Sequence, residues 1–83
     1  MSPRVLVVDD ESDIRELLSM TLIRMGLDVD AAGSGFEAEQ LLQKHRYALC
    51  LTDMRLPDGS GLDLLEHVGR HHAHTPVAVI TAV

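Results

Sequence analysis

Two carboxylates, Asp9 and Asp10, follow the apolar run Arg4–Val8 (RVLVV), and a third, Asp53, closes the apolar run Tyr47–Thr52 (YALCLT). Short β-branched runs that stop at acids read as buried strands delivering carboxylates to their carboxyl edge. Parallel neighbours lie about 4.8 Å apart, so acids at the ends of adjacent strands can share one ligand. Three carboxylates placed together repel one another unless a cation intervenes. Oxygen donors alone select a hard ion, and Mg²⁺, which keeps several waters, suits one or two direct carboxylates plus a phosphate. The expected division of labour gives Asp9 and Asp10 to the metal. Asp53, also within its reach, is the nucleophile that attacks phosphorus to form an acyl phosphate.

Two more residues join this edge by position. Thr81, near the end of the last apolar run, is placed to donate a hydrogen bond from its hydroxyl to a phosphoryl oxygen on Asp53. The loop MRLPDGSG follows Asp53, and the backbone carbonyl of Arg55 is a further expected metal ligand. Gly59 and Gly61 are expected to take backbone conformations closed to other residues.

Each of these features has a plainer explanation. Asp9 and Asp10 would serve as helix N-terminal acids, stabilising by roughly 0.3–1 kcal/mol each, and Asp53 alone would read as a solvated loop acid. The matching of acids at two strand ends favours the site. Thr81 is evenly balanced, since threonine is a common strand residue. Cys50, inside an apolar run, reads as a small core residue. His71, His72 and His74 (HHAH) lack a cysteine or acidic partner at zinc-ligand spacing, so a solvated helix end is preferred.

The elements that must position these residues follow from periodicity. Apolar residues at Ile14, Leu17, Leu18, Leu22 and Met25 predict a helix over about 12–25, stopped by Gly26. Leu27–Ala31 (LDVDA) alternates and predicts a half-wet edge strand. Ser34 and Glu37 form a capping-box signature opening a helix that carries Ala38, Leu41 and Leu42 to about His45. Tyr47–Thr52 is a third, central strand. Ser60 caps a helix with Leu62, Leu65, Val68 and Gly69 on one side and Leu64 flanking, and Val77–Val83 (VAVITAV) is a fourth strand. Strands alternating with helices imply an α/β fold with a parallel sheet and right-handed crossovers.

Composition narrows the function. At 83 residues the chain is at most one domain, expected to span 1–83, and its net charge of −6 with Lys44 as the one lysine argues against phosphate-backbone recognition of nucleic acid. One cysteine excludes an internal disulfide and fits a reducing, cytoplasmic setting. No apolar run is long enough to cross a membrane or act as a signal peptide.

The segments VLVVDDE, LTDMRLPDGSGLDLL and VAVITA together resemble the receiver domain of bacterial two-component response regulators. The wording TDMRLPDGSGLDLL is most similar to receivers of sigma-54-dependent activators, including regulators of type IV pilus expression. The resemblance implies a flavodoxin-like sheet, here of order 2-1-3-4 with helices on both faces. It implies a phosphoacceptor domain, not an enzyme, that takes a phosphoryl group from a histidine kinase onto Asp53 with Mg²⁺. Asp9 and Asp10 match the family's acidic pair, Arg55 its carbonyl ligand and Thr81 its switch hydroxyl. The family continues through a further helix, strand and helix, with a lysine that Lys44 cannot replace, so a receiver truncated after the fourth strand is expected. A phosphorylation-deficient fragment that dimerises through the unpaired strand at 77–83 is the alternative. An aspartyl-nucleophile phosphatase of the haloacid dehalogenase type is disfavoured, because Arg55 stands where its general acid would be.

Overall fold

The computed structural model describes residues 3–80, in which β1 (Arg4–Val8), α1 (Ser12–Arg24), β2 (Asp28–Ala32), α2 (Gly35–Lys44) and β3 (Leu49–Asp53) follow in order. A two-residue ladder, β4 (Arg55–Leu56) with β5 (Gly59–Ser60), leads into α3 (Gly61–His71) and β6 (Val77–Ile80). The main sheet is parallel with order β2-β1-β3-β6, as expected for a flavodoxin-like fold. Each crossover is helical, because a parallel neighbour can be reached only by returning the chain over one face of the sheet.

The alternation of side chains along β1 splits the interior in two. Leu6 and Val8 join Cys50, Ala38, Leu42, Leu64 and Val68 in one cluster, so α2 and α3 cover that face. Val5 and Val7, also buried, point to the other face, where α1 packs on β1 and β2. Burying a side chain of this size stabilises by about 1.5–3 kcal/mol, and β1, with both faces filled, anchors the domain.

Several boundaries differ from the sequence expectation. The second strand is shifted by one residue, and the third begins at Leu49 and includes Asp53. Tyr47 precedes it because its ring turns into the core and its hydroxyl bonds Asp30, which takes it out of the ladder. Asp30 is accordingly not on a purely wet face: it accepts from Tyr47 Oη at 2.7 Å and Arg4 Nη1 at 2.9 Å. The loop after Asp53 holds the β4–β5 ladder that periodicity could not show.

Two helical stripes also differ. In α3 the buried residues are Gly61, Leu64 and Val68, whereas Leu62 and Leu65, expected to face inward, are 55% and 41% exposed. The phase is set at the first turn, where Gly61 must sit against β3. In α1 no residue is fully buried, and the half-buried line is Arg15, Leu18, Ser19 and Leu22. Among the described residues, α1 lies over β1 and β2 and leaves, on the β3–β6 half of that face, a groove of about 280 Å³ reaching Leu17, Leu51 and Ile80.

Candidate functional site

The carboxyl ends of β1 and β3 are adjacent, with Val8 paired to Thr52. The residues that follow therefore emerge at one edge of the sheet. One carboxylate oxygen from each of Asp9, Asp10 and Asp53 lies within 4.8 Å of the other two. Asp9 is buried, Asp53 half-buried and Asp10 exposed, so the cluster is rooted in the core and open to solvent on one side.

Backbone amides hold two of the three acids. Asp9 Oδ1 accepts from the Glu11 amide at 2.9 Å, and Asp53 Oδ1 from the Met54 amide at 2.8 Å. In each case the second carboxylate oxygen accepts no hydrogen bond among the described residues. The donor set fits Mg²⁺: three carboxylates, oxygen only, at a solvent-open edge where waters can complete an octahedron.

The scaffold beneath these acids was only partly visible in the sequence. Arg15, one turn into α1, donates from Nη1 to the carbonyl of Asp9 at 2.7 Å and so fixes the Asp9–Asp10 turn. The fully buried Thr52 donates its hydroxyl to the Asp53 carbonyl at 3.0 Å. Gly61 donates its amide to the Met54 carbonyl at 2.8 Å, and a Cβ there would overlap the Asp53 carbonyl oxygen. Of the two glycines expected to need special backbone, only Gly59 has positive φ, at 156°. Gly61 is required for closeness instead.

Asp58, in the turn between β4 and β5, accepts from the amides of Gly35 at 2.9 Å and Phe36 at 2.8 Å. Its carboxylate thus caps α2 from another element, supplementing Ser34, whose Oγ accepts from Glu37. These two amide hydrogen bonds hold its carboxyl below the usual carboxylate range. Nothing in the local spacing signals this pairing, because Asp58 and Gly35 meet only after folding.

Arg55 is exposed and lies in β4, two residues beyond Asp53, at the same edge. Thr81 falls outside the described residues. Cys50 is fully buried, and burial pushes its thiol up to about 12, consistent with a core residue and not a nucleophile. Lys44 closes α2 at the opposite end from the site. Among the described residues no helix is long and apolar enough to cross a membrane.

Residues 5–83 match the response regulator receiver domain family. The chain is 58% identical over 79 residues to the response regulator protein PilR of Pseudomonas aeruginosa, covering 95% of this chain and 18% of that protein. It is 39% identical over 82 residues to the transcriptional regulatory protein SrrA of Staphylococcus aureus, covering 99% and 34%. Among solved structures it is similar to the response regulator TrrA of Thermotoga maritima in complex with Mg²⁺-BeF. That match has TM-score 0.92 at 34% identity, over 98% of this chain and 70% of that one. The chemotaxis response regulator CheY4 of Vibrio cholerae matches with TM-score 0.91 at 31% identity, over 95% and 68%. The chain therefore spans about a fifth to a third of the curated relatives named here.

Proposed function

The chain belongs to the response regulator receiver domain family, and from that premise we propose that it takes a phosphoryl group onto Asp53 from a histidine kinase, with Mg²⁺ held by Asp9, Asp10, Asp53 and the Arg55 carbonyl. The observation that carries this reading is the meeting of three carboxylate oxygens within 4.8 Å at the edge where β1 and β3 end. The Mg²⁺-BeF complex of TrrA supports the same ligand chemistry.

Asp53 Oδ1 is occupied by the Met54 amide, so Oδ2 is the attacking atom. As the Oδ2–phosphorus bond forms, the P–N bond of the donor phosphohistidine breaks and the imidazole nitrogen leaves. When bound, the metal supplies charge neutralisation for carboxylate and phosphoryl oxygens. The Thr52 hydroxyl and Gly61 hold the Asp53 backbone still, so the nucleophile needs little reorganisation. Thr81 is assigned to hydrogen-bond the phosphoryl group. The domain is a cytoplasmic phosphoacceptor, not a turnover catalyst, and serves a regulator of the sigma-54-dependent type.

The test is incubation with acetyl phosphate and Mg²⁺. Mass spectrometry should find one hydroxylamine-labile phosphoryl group on the parent and none on Asp53→Asn. Labelling that persists in that variant, or a parent that stays unlabelled, defeats the proposal.

A further inference from the structure

Away from the acids, α3 and its C-terminal end gather imidazoles that the sequence scattered over eight positions. His67 and His71 lie one turn apart on α3, with ring centroids 4.6 Å apart and planes tilted by 43°. The ring of His72 lies 6.0 Å from that of His67, and that of His74 lies 6.4 Å from that of His72. Glu39, on the neighbouring α2, places Oε1 3.5 Å from His67 Nδ1. The local sequence HHAH offered no acidic partner; the fold supplies one from a different helix.

We propose that His67 and His71 form a binding site for a borderline transition-metal ion such as Zn²⁺, with Glu39 as a positioning residue. Histidines at i and i+4 on one helical face present their rings side by side, the spacing that two-histidine metal sites use. A carboxylate facing one ring nitrogen draws the proton to it and leaves the other nitrogen's lone pair free for metal. Glu39 faces Nδ1 of His67, so Nε2 is the ligand atom there. His71 is exposed and His67 half-buried, so both rings can adjust and water can fill the remaining positions. Imidazole donors select Zn²⁺, Cu²⁺ or Ni²⁺ over Mg²⁺, so the two cation sites differ by ligand type.

The experiment is calorimetric titration of the 83-residue chain with Zn²⁺ in saturating Mg²⁺, paired with ¹H–¹⁵N spectra of the imidazoles. One saturable equivalent is expected, with the ¹⁵N shifts of His67 Nε2 and of His71 moving together. His67→Gln and His71→Ala should each weaken binding at least tenfold, and Glu39→Gln about tenfold. His74→Ala and Asp9→Asn should bind as the parent does, and circular dichroism checks that each variant is folded. The proposal is overturned if Zn²⁺ does not saturate, if His67→Gln or His71→Ala binds unchanged, or if Asp9→Asn or His74→Ala loses as much.

Discussion

Gly61 lies against Asp53 so closely that a Cβ at position 61 would overlap the Asp53 carbonyl oxygen and stand 3.2 Å from Thr52 Cγ2. The first residue of α3 and the last residue of β3 are thus one packing unit. Gly61→Ala should destabilise the domain by about 1–3 kcal/mol, the usual cost of overpacking. It should also weaken Mg²⁺ binding, since relief of the clash must move Asp53. Urea unfolding and a Mg²⁺ titration on the same variant measure the two effects.

Gly69 gives the opposite outcome within the same helix. It is exposed, and a Cβ there would meet nothing within 4 Å. Gly69→Ala should stabilise by about 0.4–1 kcal/mol through reduced unfolded-chain entropy. An unchanged or lower urea midpoint would contradict this.

The Arg4–Asp30–Tyr47 network predicts loss of stability at both pH extremes. Burial alone would raise the Asp30 carboxyl, but hydrogen bonds from Tyr47 and Arg4 outweigh it and hold it below its ordinary 3.8. Its contribution is complete above that value and is lost as pH falls through the folded-state value. Tyr47 is raised above 10.0 by burial and by its bond to Asp30, so its contribution is complete below pH 10 and is lost as pH rises beyond. Tyr47→Phe should cost about 0.5–1.5 kcal/mol at neutral pH and flatten the alkaline limb. Thermal melts from acid to alkaline pH display both limbs.

Mg²⁺ should raise thermal stability, because it binds the folded arrangement of acids and not the unfolded chain. At ten times Kd the gain is about 1.4 kcal/mol, reversed by a chelator. Asp10→Asn should abolish most of this gain and, by relieving the repulsion among the three carboxylates, raise the melt in the absence of metal. A melt that ignores Mg²⁺ would show that the acids do not act as one site.

Much of the arrangement was legible from residue order. Acids directly after apolar runs marked the strand ends, and the alternation of strands and helices required a parallel sheet. The order β2-β1-β3-β6 then brings Asp9, Asp10 and Asp53 to a common edge. The pattern located the acids because a strand's end is a local property, carried by where hydrophobicity stops, whereas the adjacency of β1 and β3 was expected from the family resemblance.

Other features exist only in three dimensions. The phase of α3, with Leu64 inward beside the expected Val68 and with Leu62, Leu65 and Gly69 exposed, is fixed by the contact of Gly61 with β3. Periodicity gives a helix's stripe but not the angle at which its first turn is clamped. Asp58 on the amides of α2, Asp30 beneath Tyr47, and Glu39 beside His67 join residues from 17 to 28 positions apart. Their partners are chosen by packing between elements, and no spacing along the chain records that choice.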